Sequence, residues 1–395
     1  MKKEHTYTLI AAFVLLGGAT TASADLIEIF FDEQFSDLEE TIPGRFGINE
    51  RLRYESTDAE GGFDDDGISY RIRYSYTTPD FSGLSGMVEG ETLTSIDGGF
   101  NTLDRAGLGT EVNQLWAQYA DEDYGKIKLG RQIYTLDDHR FIGHVGWRQN
   151  IQTFDAVTAV YTGIDKLEIN GFYLDQVNRI NDTEIDLDAF GINVSYAFAK
   201  GHKLTGFCYD IDSAPIGGDA SNETLGLRAA GVFSLSDREF TYAASVAEQD
   251  FAGGDAGYLA GDLSTVVSGL TLGGGFEILD AGFRTPLATV HSFNGFADKF
   301  AGDSLDGGLG SGLEDRYLYA GYEIPVGNGI KTQVIYHWFS PETGAGDGGS
   351  ELDLVASYAI NEYISLVGKY GDYSADDATF GGDKEVFTLE LNFVY

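Results

Sequence analysis

The sequence predicts an all-β protein: a transmembrane antiparallel β-barrel of about 18 strands, 16 being the alternative count, with both termini periplasmic. Three observations carry that expectation. The chain opens with a segment built for export, apolar residues recur with period two from residue 44 to the end, and the connections alternate between long and short.

Lys2 and Lys3 form a positive start, Leu9 to Ala19 an apolar run, and Ala22-Ser23-Ala24 a small-x-small cleavage site. That is the pattern of a secretory signal peptide, 1–24, too short to span a bilayer as a helix. Its removal deletes Lys2, Lys3 and Glu4, leaving 23 basic and 62 acidic residues and a formal charge of −39, against −38 for the full chain. Residues 25–43, acidic with interspersed Leu, Ile and Phe, read as a periplasmic N-terminal extension, and 44–395 as the barrel. No later run of eighteen apolar residues is present, so a membrane-spanning helix is excluded and strands must do the crossing.

The last strand shows the period most clearly. Phe387, Leu389, Leu391, Phe393 and Tyr395 share one face, with Thr388, Glu390 and Asn392 on the other. Such alternation marks a half-buried strand, and an aromatic at its end resembles the closing strand of bacterial outer-membrane barrels. Ile68 to Tyr76, Phe190 to Phe198 and Ile330 to Trp338 repeat the pattern. Eighteen segments follow: 44–55, 67–78, 83–94, 110–121, 124–131, 152–162, 166–176, 186–198 and 203–212 in the first half. The second half holds 222–233, 239–249, 256–267, 269–280, 316–326, 329–339, 350–360, 362–373 and 385–395.

Long connections (among them 56–66, 95–109, 132–151 and 281–315) alternate with short ones such as 79–82, 122–123, 163–165 and 327–328. Long extracellular loops and short periplasmic turns give a spanning barrel that parity, whereas a soluble sandwich has no reason to keep it. The 53 Gly, 26 Phe and 23 Tyr, against 6 Pro and 2 Met, then become turns and interfacial rings. A single Cys208 excludes a disulfide framework and a Cys-based zinc site.

The charge excludes a surface that attracts nucleic acid. Acids crowd the expected loops: Glu55, Asp58, Glu60 and Asp64 to Asp66 in the first, Asp210, Asp212 and Asp219 near another, Asp376, Asp377 and Asp383 in the last. The spacing of Asp64 to Asp66 matches no EF-hand. Basic residues concentrate between 45 and 148, where Arg51, Arg53, Arg71, Arg73, Lys126 and Lys128 alternate with Leu52, Tyr54, Ile72, Tyr74, Ile127 and Leu129. Charge facing lipid is costly, so the cations belong to the lumen. There they either form a ladder that favours anions or pair with lumen acids such as Glu50, Glu89 and Glu91 and stiffen the wall.

A barrel of this size leaves an aqueous channel, so selectivity rests on loops folded inward. Two loops suit that role: the third, with GRQ at Gly130–Gln132 and DDHRFIGHVGWRQNIQTFDA from Asp137, and the seventh, with TPLATVHSFNGFADKF from Thr285. With LRYES at Leu52–Ser56 and GLEDRYLY at Gly312–Tyr319, these stretches resemble the alginate export family of outer-membrane porins. The family pattern has Trp where this chain has Phe296. The resemblance implies an eighteen-stranded barrel passing anionic polysaccharide or oligosaccharide. With the basic strip and the loop motifs, the expected function is a channel of the bacterial outer membrane, surrounded by lipid and lipopolysaccharide, for anionic or neutral oligosaccharides such as alginate-type polymers.

By position in those motifs, Arg131, Asp138, Arg140, Trp147, Arg148, Gln149, Asn294 and Asp298 join Arg71, Arg73, Lys126 and Lys128 as expected constriction and substrate residues. A general diffusion porin with cation preference, set by the acidic rim, is the alternative. Whether the barrel is a monomer or a trimer stays open. No catalysis, cofactor or metal is expected: His139, His144, His202, His291 and His337 sit in no Ser/His motif, and GGLGSG at 307–312 lacks the strand–helix context of a phosphate loop.

Overall fold

The computed structural model describes residues 41–60, 65–97, 109–213, 221–300, 310–344, 346–376 and 381–395. The signal peptide, most of the expected extension, and Asp64, Asp219 and Asp377 lie outside the described residues.

The strands in chain order are β1 (Arg45–Ala59), β2 (Asp65–Thr77), β3 (Leu84–Ser95), β4 (Gly109–Asp121), β5 (Gly125–Gln132) and β6 (Thr153–Ile164). They continue with β7 (Leu167–Asn178), β8 (Glu184–Ala199), β9 (His202–Ser213), β10 (Asn222–Leu235), β11 (Arg238–Phe251) and β12 (Gly254–Val267). The circuit ends with β13 (Leu270–Leu279), β14 (Leu313–Ile324), β15 (Ile330–Ser340), β16 (Gly349–Ala359), β17 (Ile364–Ser374) and β18 (Lys384–Val394). Each pairs antiparallel with its neighbours, and β1 pairs with β18, so the 18-stranded sheet closes. Closure is required because lipid offers no partner for an edge strand's N–H and C=O groups.

Side-chain alternation sorts the faces. On β8, Phe190, Ile192, Tyr196 and Phe198 lie exposed on the outside, while Asn193 and Ser195 are buried within. Among the described residues the outward belt repeats this on every strand from Tyr74 to Leu389, the inverse of a soluble protein and the pattern lipid demands.

The extracellular half of the lumen is filled. Two external loops fold into it: L3, residues 133–152 between β5 and β6, and L7 between β13 and β14, described over 280–300 and 310–312, with a 3-10 turn at Val290–Ser292. Ile142 of L3 bridges Leu287 of L7, and both are fully buried. Phe141 packs among Phe207, Tyr209, Tyr258 and Phe283, so a dry core sits inside the barrel.

Three expectations change. β1 runs to Ala59 and β2 starts at Asp65, so Glu55 is no loop acid; it is a buried, inward strand residue. Glu50 shares the outward parity of Leu52 and Tyr54 and is not a lumen acid; it stays buried and accepts a hydrogen bond from Tyr70. Much of the acid stands on strands rather than in loops. Near the extracellular ends, Asp186 and Asp188 on β8, Asp210 and Asp212 on β9, Glu223 on β10, Glu248 and Asp250 on β11 and Asp255 on β12 point outward.

Candidate functional site: the inner constriction

L3 and L7 are bonded directly to each other as well as to the wall. Gly143 N–H donates to Leu287 C=O (2.8 Å), Thr289 N–H to His139 C=O (2.9 Å) and Val145 N–H to Thr289 Oγ1 (3.0 Å). Asp137, His139, Val145, Asn294 and Asp298 all adopt positive φ. For the β-branched Val145 that conformation is costly, and it persists because surrounding contacts dictate it.

Arg140 fastens the pair to the far wall. It is buried, donates Nε to Glu277 Oε1 (2.7 Å) and Nη2 to Oε2 (3.1 Å), and reaches Thr285 Oγ1 (3.1 Å). Glu277, 4% exposed on β13, also accepts from Tyr258 Oη (2.8 Å) and Asn294 Nδ2 (2.8 Å). A buried carboxylate is tolerated only with its lone pairs filled this way. Asn294 donates to Asp315 of β14 as well (3.3 Å), and Asp138 pairs with Arg228 of β10 (2.7 Å). Backbone N–H groups of Phe296 and Ala297 donate to Asp353 (3.2 Å) and Glu351 (2.6 Å) on β16. Glycine at 295 is required there, since a Cβ would fall 2.4 Å from the Glu351 carboxylate.

On the opposite side Arg148 spans from Glu55 of β1 (3.0 Å) to Asp298 of L7 (3.2 Å). Trp147 lies flat on His291, ring centroids 3.6 Å apart, with the Arg53 guanidinium at 4.2 Å and the Lys369 ammonium at 4.0 Å from its ring. Gln149 donates to Ser69 of β2 (2.7 Å), and its carbonyl accepts from Arg73 (3.1 Å). Burial holds the His291 ring down to about 4, against the pull of Asp298, so at neutral pH it is uncharged and donates Nδ1–H to Asp298 (2.9 Å). Burial alone would raise Asp298, but His291 and Arg148 hold it down to about 2.

The basic strip is only partly neutralised. Arg53 meets Glu55 (3.1 Å) and Glu390 (3.6 Å), Arg51 meets Glu390 (3.6 Å), and Arg73 pairs with Glu91. Glu89 serves Asn113 and Gln114 instead (2.7 and 3.0 Å). Arg71 binds the Asn49 side chain, and Lys369 lies over Trp147 and Phe296; among the described residues neither has a carboxylate ion pair. Lys126 and Lys128 face the lumen toward the periplasmic end, the latter with its ammonium 4.2 Å from the Trp116 ring centre.

Arg131 is a correction. It shares the outward parity of Ile127 and Leu129 and pairs with Asp155 (2.8 Å) and Glu184 (3.4 Å) outside the barrel, while its neighbour Gln132 turns inward. The physical reason is its place at the extracellular strand end, where outward charge meets headgroups rather than hydrocarbon.

Sequence reading missed the wall formed by β12–β16: Asp262, Glu277, Asp315, His337, Glu351 and Asp353, with Tyr258, Tyr317 and Tyr319. The signal was available, because each of these falls on the inward parity of its strand.

The alginate export family matches residues 43–257. Among solved structures, the chain is similar to OpdK of Pseudomonas aeruginosa in a structure with vanillate (15% identity, TM-score 0.69, covering 89% of this chain and 98% of that one). It is also similar to OccAB4 of Acinetobacter baumannii (13%, TM-score 0.70, 89% and 97%) and OccK3 of P. aeruginosa (12%, TM-score 0.69, 91% and 97%). No curated protein matches it by sequence.

Proposed function

The chain belongs to the alginate export family and is a porin-like barrel of the bacterial outer membrane, and from that premise we propose that it passes small anionic or neutral oligosaccharides by diffusion through the gap left beside L3 and L7. In this reading the paired loops are the constriction. Arg140, Arg148 and Asp298 build it rather than contact solute, because their charged groups are paired within the protein, and Gln149 and Asn294 anchor it through their amide hydrogens. Solute selection falls to the field of the strip on β17, β18, β1 and β2, since Arg53 and Arg71 are themselves buried in the wall.

One observation carries the proposal: cations on that strip exceed their carboxylate partners. Arg71 and Lys369 lack an ion pair among the described residues, and uncompensated charge on a lumen wall attracts mobile counter-ions. The OpdK structure holds vanillate, a carboxylate, in a barrel of the same fold.

Reversal potential in planar bilayers under a salt gradient tests it. Wild-type protein is expected to favour anions, and the Arg71→Ala, Lys369→Ala double variant to lower the anion-to-cation permeability ratio by a factor of about three. Block by alginate oligomers, absent with maltodextrins, would mark the anionic polymer as solute. The second reading, a general porin preferring cations, is favoured by Asp262 and the acids around it. Cation selectivity untouched by the double variant would establish that reading and overturn the first.

A further inference from the structure

Just periplasmic to L7, the β10–β16 wall lines a cavity of about 340 Å³, at the lower end of the ~300–1,000 Å³ usual for small-molecule sites. Its lining includes Asp138, Arg228, Asp262, His291, Asn294 and Tyr319. We propose that this cavity is a binding subsite for a protonated amine that also carries hydroxyl groups, an amino sugar in chemical class, with Asp262 receiving the ammonium. The inference goes beyond the anionic path on the opposite wall and rests only on the barrel being open to solutes.

The argument is a balance of donors and acceptors. Asp138 is neutralised by Arg228 (2.7 Å), which also donates to Ser245 (2.9 Å). Glu277 is neutralised by Arg140. Asp315 and Asp353 share the His337 ring between them, at 2.9 and 3.5 Å. Asp262 is different: it accepts from Tyr319 Oη (3.0 Å) and Tyr317 Oη (3.2 Å), and Arg228 acts on it only from beyond ion-pair distance, so among the described residues it has no ion-pair partner. Two neutral hydroxyls orient a carboxylate without cancelling its charge.

His291 supplies an independent pointer. It is 3% exposed, its Nδ1–H is spent on Asp298, and its Nε2 is buried with no hydrogen-bond partner. With the ring uncharged, that nitrogen is an acceptor, and a buried acceptor left empty is costly. Asn294 has likewise spent its amide hydrogens, on Glu277 and Asp315, and presents its oxygen. The unspent polar atoms therefore call for a donor-rich ligand, and the unpaired carboxylate calls for a positive one. The flat faces of Tyr258, Tyr317 and Phe293 in the same lining suit a ring with an ammonium beside it.

Saturation-transfer NMR on the full barrel in detergent micelles at pH 6.5, with glucosamine, glucose and glucuronate as probes, reads binding without requiring conduction. Glucosamine is expected to bind about tenfold more tightly than glucose, and Asp262→Asn to erase that preference. Equal binding of the two sugars by the wild-type barrel overturns the proposal. So does a preference unchanged in an Asp262→Asn barrel that keeps its heat-modifiable gel mobility. If that variant fails to insert, the wild-type comparison decides. Glucuronate reports the basic wall separately: its loss in Arg71→Ala concerns the proposed function and leaves the glucosamine result untouched.

Discussion

On the β1–β2 side of the lumen Arg51, Arg53 and Arg73 each meet a carboxylate from their own or a neighbouring strand, and L3 lies on top of them through Trp147, Arg148 and Gln149. On the β12–β16 side His337 of β15 serves Asp315 and Asp353 within the sheet, and the loops bring the other partners: Arg140 to Glu277, and backbone N–H groups to Glu351 and Asp353. The arginines of the first wall find their carboxylates within the sheet, whereas Glu277 of the second takes its cation from a loop. The second therefore depends far more on L3 and L7 staying in place.

The most damaging way to break that asymmetry is Arg140→Ala. It leaves Glu277 buried with only neutral donors, and an orphaned buried charge costs about 3–5 kcal/mol. The L3–L7 pair should lift from the β13 wall, raising single-channel conductance and its noise. Arg73→Ala, whose carboxylate partner Glu91 lies in the sheet, removes only one of several contacts between this wall and L3 and should disturb the loops and the conductance much less. Equal effects of the two would mean that the walls do not differ as described.

How much of this was legible in the sequence divides along the same line. Strand positions, closure and the facing of Arg53, Arg71 or Lys128 follow from alternation, because period two is a local property. The choice of L3 and L7 as inward loops was readable from their aromatic and amide content. Partners were not: Arg140 and Glu277 are 137 residues apart, and their meeting depends on barrel closure and loop depth together. Arg131 failed for a related reason. Motif position suggested the lumen, while the alternation of its own strand already placed it outside. Acidity was read as loop solvation, yet the inward parity of Asp262, Glu277, Asp315 and Asp353 was as regular as that of the arginines.

A gentler perturbation loosens the loops from the other end. His291 titrates at about 4 when buried, against about 6.5 when free. A pKa lowered on folding stabilises fully above the free value, so this contribution is intact above about pH 6.5 and disappears as the pH falls toward 4. Over that window it amounts to about 3 kcal/mol at most. Asp298, held down to about 2, keeps its contribution until below about pH 4. The groups facing His291 are Asp298, Arg148 and Lys369, and none of them reverses this sign. Channel noise should therefore rise between pH 6.5 and 4, and His291→Asn should flatten the rise. His144, also held down to about 4 chiefly by burial and then by His139, titrates in the same window, so any residual slope in His291→Asn should vanish with His144→Asn.

The smallest effect lies on the outside of the same sector, where carboxylates have neither stitching nor loops. Asp210 faces Glu223, Glu223 faces Asp250, and Asp250 faces Asp255 across β9 to β12. Like charges directly opposite one another destabilise a sheet by about 0.2–1 kcal/mol per pair. Asp250→Asn removes the shared member of two such pairs and should raise the temperature of heat-modified gel mobility at low salt. At 1 M salt, where screening acts within about 3 Å, the variant and wild type should coincide. A variant less stable than wild type at low salt would mean that bound counter-ions hold the row together. The contrast with the inner wall would then be one of partner identity rather than of having partners at all.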